Sequence, residues 1–282
     1  MTLLILKTLV AVILAPVAGA LILGLDRKLT ARMQGRIGPP LLQPIYDILK
    51  LLRKEPVVVS RVQVLYVCMH LAFMILAWLF LLFGQDSLMF LFVLAFSTLA
   101  LVLGGMSVRS PYSRIGSQRE ILLMVAYEPI LVLMVVGFFL VTGSFQMQKV
   151  LEAPQPLLLR LPLIFLAYLI VVAIKLQKSP FDLATSHHAH QELVKGITIE
   201  ISGPYLALIE IAHCYETVLF LGWIGFFWAT NAVVAVALMA AAFLGAIVLD
   251  NVFARLTTLW MFKFMWTAGL GLALTNILWL YW

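Results

Sequence analysis

The chain has 282 residues, 63% of them hydrophobic and 11% charged, with a mean hydropathy of +1.07. That balance excludes a water-soluble domain and calls for a polytopic membrane protein. The net charge of +6 and a pI near 9.4 would suit nucleic acid, but the basic residues fall in short loops between apolar runs, so they read as topology signals and no nucleic-acid partner is expected.

The apolar runs are about 20 residues long and show no strand-period alternation, so helices rather than a barrel must satisfy the backbone in lipid. The fold class is therefore all-α, a single integral membrane domain over 1–282, with eight predicted spans: 2–25, 62–84, 87–107, 119–143, 159–178, 198–224, 230–250 and 257–281. The first is expected to be a span and not a removed signal peptide, because no small-residue cleavage site and soluble domain follow it. Sixteen of the nineteen Lys and Arg fall in the first, third, fifth and seventh loops. Those loops are predicted to face the cytoplasm, with both termini outside the cell membrane.

The first loop opens on the Gly/Pro turn at 32–40, which carries Arg32 and Arg36, and continues into 41–52. There Leu42, Ile45, Leu49 and Leu52 recur at helical spacing against Gln43, Asp47, Lys50 and Arg53, which predicts an amphipathic helix at the membrane interface or under a partner. A solvated loop helix is the plainer alternative. The second cytoplasmic loop, 107–119, is short and basic, with Arg109, Arg114 and Arg119.

Glu120 then opens the fourth span, and Glu128-Pro129 follows eight residues on. On a helix these carboxylates lie about 80° apart in rotation and about 12 Å apart along the axis, so both can face the bundle interior. Pro129 frees a carbonyl one turn earlier and is expected to kink the helix beside Glu128, making room for water. For Glu120, simple pairing with a loop arginine is the competing account.

The sixth predicted span is the most unusual. Glu200 lies near its start, Gly203-Pro204 is expected to interrupt it, and Glu210, His213 and Glu216 follow at steps of three, forming an inclined stripe on one side of a helix. One acid at a membrane-helix centre costs about 2.5 to 3.5 kcal/mol even on insertion scales, so these groups must be hydrated, paired or protonated. Carboxyls held in that state can take up and release protons. Asp250, beside Asn251 and Arg255, fits either a helix-end ion pair or a polar path.

Ahead of that span, the third cytoplasmic loop gathers Asp182, His187, His188, His190 and Glu192. Three imidazoles in one short segment leave a coordination position unaccounted for, so a hydrated loop whose charge changes near pH ~6.5 is preferred to a metal site. His70 and His213, in separate spans, fit hydrogen-bonded membrane histidines better than haem ligands. Cys68 and Cys214 are too few for an iron–sulfur cluster and suggest no disulfide framework. No phosphate loop or nucleophile motif is present, so no catalytic residue is expected in this chain.

Several motifs together carry a resemblance over nearly the whole length. RMQGRIGPPLLQPIYDILKLLRKE at 32–55, REILLMVAYEP at 119–129, Ser179-Pro180-Phe181-Asp182, Glu192-Leu193-Val194 and Glu200-Ile201-Ser202-Gly203 resemble the chain 1 (H-subunit) family of respiratory complex I, shared with the energy-converting, Ech-type [NiFe] hydrogenases.

The resemblance implies a membrane subunit at the junction of a peripheral electron-transfer arm and an ion-pumping arm, with no cofactor of its own. The [NiFe] centre and [4Fe-4S] clusters would lie in the hydrogenase large and small subunits and a ferredoxin-like subunit on the cytoplasmic side. An antiporter-like subunit would stand beside it in the bilayer. Glu128, Glu200, Glu210 and Glu216 match the acids of the family's ion path, and Arg36, Asp182 and Glu192 match its junction loops.

Two departures point away from quinone-reducing members. The first loop passes directly from Gly38-Pro39-Pro40 to Leu41-Leu42-Gln43-Pro44, and the third has Ser186-His187-His188-Ala189-His190 in place of a more acidic segment. The His-rich version is most similar to ferredoxin-dependent hydrogenases. A quinone-reducing subunit and a stand-alone ion transporter are the alternatives.

Overall fold

The computed structural model describes residues 2–181 and 196–281. Among these the named elements are all helical: α1 (Thr2–Met33), α2 (Gln43–Leu52), α3 (Arg61–Leu82), α4 (Ser87–Met106), α5 (Pro111–Thr142), α6 (Met147–Leu151), α7 (Pro162–Lys175), α8 (Gly203–Phe226), α9 (Ala232–Val252), α10 (Thr258–Phe264) and α11 (Leu270–Tyr281). Short 3-10 turns at Leu157–Leu159 and Gly196–Thr198 and a π turn at Met265–Gly269 complete the element order.

Seven helical stretches among the described residues are long and apolar enough to cross a membrane, which fits the all-α polytopic class. The predicted fifth span is the exception. α7 has 14 residues, about 21 Å at a rise of 1.5 Å each, which is short of a hydrocarbon core of roughly 30 Å. Pro162 begins it, since a missing N–H costs nothing at a helix start, and most of its surface is buried in protein. Hydropathy summed over 159–178 merged this helix with the turn before it and the loop after it.

Three other boundaries move for local reasons. α1 continues eight residues past the predicted end of its apolar run, because nothing in Asp26–Met33 breaks a helix. It stops where Gly35 adopts φ +71°, with Arg36 N–H donating to Ala31 O (2.8 Å) and Gly35 N–H to Arg32 O (3.1 Å), the two bonds of a Schellman cap.

α5 begins at Pro111 rather than 119. Its first turns carry buried Ser113, Gly116 and Ser117 at helical spacing, so Arg114 and Arg119 are helix residues rather than loop residues. α8 begins at Gly203 with Pro204 inside its first turn, where proline starts a helix instead of interrupting one. Glu200 therefore precedes the helix. The amphipathic α2 forms within two residues of its predicted start.

Contacts divide the chain into two compact units. The first comprises Met1–Leu79, Phe96–Glu120 and Ala184–Leu219, and the second Phe80–Ala95, Ile121–Leu183 and Phe220–Trp282.

In the first unit, α1 and α8 approach so closely that a Cβ on Gly19 would lie 2.1 Å from Cys214 O, and Tyr215 donates its hydroxyl to Val12 O. His70 of α3 and Ser97 of α4 pair through Nδ1 and Oγ at 2.8 Å. Ile197, fully buried, sits against Gly105 and Gly116, and its carbonyl accepts from Ser113.

The second unit is centred on aromatic rings: Phe90 stacks on Trp223 at 4.7 Å, and Phe165 and Phe138 meet Phe227 edge-on at 5.0 and 5.1 Å. Such pairs add roughly 0.5–1.5 kcal/mol each beyond their burial.

Candidate functional site

The first unit holds the acid stripe of α8. His213, buried, pairs with Glu216 through Nδ1 and Oε2 at 3.4 Å, the contact that i,i+3 spacing allows. Thr217 satisfies the helix backbone by donating to His213 O (2.9 Å). Glu210, one turn earlier, is half-buried, and it and Arg27 of α1 both lie within electrostatic reach of Cys214.

The close packing of α1 on α8 at Gly19 is what brings the charged end of α1 into this neighbourhood. There Asp26 is buried, and Arg27 Nη1 donates to Asp47 Oδ2 at 2.8 Å while Gln43 Nε2 donates to Asp47 Oδ1 at 2.9 Å. Asp47, expected as a docking residue, thus ties α2 to α1. Its pair with Arg27 is roughly 40% exposed on each side and so contributes little stability.

Around these, Arg32, Arg36, Arg109 and Arg114 are exposed, while Arg119, Glu120 and Glu200 are half-buried. α2 and its N-cap residue Leu42 leave Leu42, Tyr46, Leu49 and Leu52 exposed, so this apolar face remains open to lipid or a partner.

The second unit holds Glu128. Its Oε1 is buried with no hydrogen-bond partner among the described residues, and Lys175 of α7 is its cationic neighbour. α5 runs as one helix through Pro129, so Glu128 sits one residue before the missing donor. Lys175 is 7% exposed, with Nζ 4.4 Å from the centroid of the Tyr127 ring and 5.5 Å from that of Phe220.

At the end of α7, Lys178 Nζ pairs with Asp250 Oδ2 at 3.2 Å, and Ser179 N–H donates to Asp250 Oδ1 at 2.9 Å. Asp250 is accordingly a helix-end ion pair whose partner is Lys178.

Lys175 and Lys178 were counted from the sequence as loop cations, and both are buried. The signal was present for Lys175: Ile164, Tyr168, Val171 and Lys175 recur at steps of three and four, the stripe that α7 buries. Asp26 and Arg27 were missed because the apolar window ended before them.

Asp182, His187, His188, His190 and Glu192 lie outside the described residues. Among the described residues no group of three or more His, Cys, Asp or Glu is placed to hold a metal ion. His70 Nδ1 is engaged with Ser97 Oγ and the Ser97 carbonyl, as a hydrogen-bonded membrane histidine would be.

The comparisons with known proteins agree with this architecture. Residues 6–281 match the NADH dehydrogenase family model. The chain belongs to this family. It is 32% identical to the H-subunit of NADH-quinone oxidoreductase from Geobacillus kaustophilus, over 95% of this chain and 90% of that protein. It is 31% identical to the same subunit of Geobacillus thermodenitrificans, over 89% and 85%.

Among solved structures, it is similar to a chain of the membrane-bound sulfane sulfur reductase, an archaeal respiratory membrane complex, with a TM-score of 0.89 and 26% identity over 98% of this chain and 99% of that one. The chain is thus a multi-pass, complex I-like membrane subunit of an oxidoreductase complex, of the H-subunit type.

Proposed function

We propose that the chain is the ion-pathway and anchoring subunit of a ferredoxin-dependent energy-converting [NiFe] hydrogenase, coupling electron transfer in peripheral partners to proton or sodium translocation. The observation that carries the coupling role is the placement of acids inside membrane helices: Glu128, with a buried unpartnered oxygen, and the Glu210, His213 and Glu216 stripe. Intramembrane acids are costly, and a purely anchoring helix would be more stable with apolar residues at these places. Glu120 and Glu200, half-buried, belong to the same proposed set.

The hydrogenase assignment rests on the shortened first loop and on Ser186-His187-His188-Ala189-His190, which resemble the ferredoxin-dependent members. On this reading the [NiFe] centre and [4Fe-4S] clusters reside in the large, small and ferredoxin-like partners. Arg32, Arg36, Asp47, Arg109, Arg114 and Arg119, with Asp182 and the histidines, meet those partners on the cytoplasmic side, and an antiporter-like subunit adjoins in the membrane. Cys68 is exposed in α3 and Cys214 buried in α8, a chemistry unsuited to ligating a cluster here.

The test uses the whole assembly in vesicles. Glu128→Gln and Glu210→Gln should each lower the ions moved per electron by about tenfold or more, the scale of losing a positioned proton-transfer group. Wild-type ion transport in both variants overturns the path. Nickel, iron and quinone contents of the purified assembly decide the redox partner. Bound quinone without nickel would favour a quinone-reducing complex, and sulfane sulfur reduction without nickel would favour the chemistry of the archaeal relative.

A further inference from the structure

The outer side of α2 combines an apolar line with a cluster of cations. Leu42, Tyr46 and Leu49 stand along it, all exposed, while Pro44 on the opposite side is buried. At about 100° per residue, Arg53, the C-cap residue, falls about 20° from Leu42, so it continues the apolar line, with Lys50 beside it. Lys54 follows directly. All three cations are exposed, and among the described residues none of them has an ion pair. Asp47, the acid of α2, is taken by Arg27 and Gln43, and between residues 48 and 61 Glu55 alone stands against Lys50, Arg53, Lys54 and Arg61.

The apolar surface does not end with the helix. Val57, Val58 and Val59 are exposed, and Val62, Leu65 and Met69 carry the exposed stripe into α3, which is long and apolar enough to cross a membrane. Ser202 donates to Val57 O (3.5 Å), and a Cβ on Gly203 would lie 2.8 Å from Glu55 O, so the linker backbone is held against the protein while its valines stay outside. An exposed stripe on a spanning helix meets acyl chains, and the apolar line of α2 leads into that stripe where α3 enters the bilayer. Continuity makes lipid the occupant, and the unpaired cations select its charge.

We propose that α2 docks an anionic phospholipid of the cytoplasmic leaflet: Leu42, Tyr46 and Leu49 enter among the acyl chains, and Lys50, Arg53 and Lys54 hold the headgroup phosphate. The guanidinium fork of Arg53 matches two phosphate oxygens, and the lysines add point charges on stems that lie over apolar surface. Tyr46 places an apolar ring and a polar hydroxyl at the depth where tyrosine concentrates in membrane proteins. Each basic side chain at an anionic surface is worth about fivefold in binding, so three together distinguish an anionic headgroup from a zwitterionic one. The inference rests on the first loop being cytoplasmic and is independent of the redox partner.

The test installs a benzophenone amino acid at position 46 of this chain in the complete complex, reconstituted into vesicles of phosphatidylcholine and phosphatidylglycerol in equal amounts. After irradiation, mass spectrometry identifies what is attached to the chain. Phosphatidylglycerol adducts should exceed phosphatidylcholine adducts by about fivefold or more. In the combined variant Lys50→Gln, Arg53→Gln and Lys54→Gln, the ratio should fall to about one while lipid adducts persist, because the apolar line is intact. Raising the salt concentration should lower the wild-type ratio, a reading that needs no charge variant to assemble. Adducts chiefly with a protein subunit overturn the proposal and make α2 a subunit interface. Equal capture of the two lipids overturns it, as does a ratio that neither salt nor the combined variant changes.

Discussion

At the scale of residues, the charges of this chain divide by what surrounds them. Asp47 and Arg27 form a close pair in partly exposed surroundings, worth about 1 kcal/mol or less, so Asp47→Asn should leave the melting temperature nearly unchanged and any defect should appear as lost partner binding. Asp250 differs, because Lys178 is buried and the Ser179 N–H also depends on it. Asp250→Ala removes the carboxylate that pairs with a buried ammonium and accepts from the Ser179 N–H, and should destabilise the second unit by about 3 kcal/mol. Asp250→Asn keeps an acceptor for the Ser179 N–H and should cost less. Thermal unfolding of the two variants checks this, and equal losses would show that the backbone bond contributes nothing.

At the scale of elements, α7 shows how a short helix is made to stand. Its own N-cap residue, Leu161, offers no side-chain bond, and Asn276 of α11 supplies one instead: Oδ1 accepts from Leu163 N–H (2.9 Å) and Ile164 N–H (3.0 Å), and Nδ2 donates to Arg160 O (3.0 Å). Asn276→Ala leaves buried donors unmatched and should cost about 3 kcal/mol, read as a lower unfolding temperature; a change within about 0.5 kcal/mol would refute the capping role.

The other end closes with a Schellman pattern, Lys178 N–H to Ala173 O (3.0 Å) and Gln177 N–H to Ile174 O (2.9 Å), with Gln177 at φ 53°. Gln177→Gly should therefore stabilise by about 1 kcal/mol. The amphipathic spacing of α2 made that helix legible in the sequence. The cap from Asn276, 112 residues distant in sequence from Ile164, was not legible, since no local pattern points to it.

At the scale of the whole molecule, the loop charges predict that both termini lie outside. That outcome requires an even number of crossings, and the seven long helices among the described residues reach it if residues 157–178, with short α7 at their centre, complete an eighth. Reporter fusions at the two termini should report the same, non-cytoplasmic side. Termini on opposite sides would show that α7 does not carry the chain across.

Membrane character, the order of the helices, the amphipathic α2 and the presence of acids in apolar helices were determined by the sequence alone, because hydropathy and helical period are sums over neighbouring residues. Which charges are buried was decided only by tertiary structure. Lys178 looks like a loop cation, Glu200 like a helix residue, and Asp26 like a loop residue. Burial depends on what other segments bring against a side chain, and those segments lie far away in sequence.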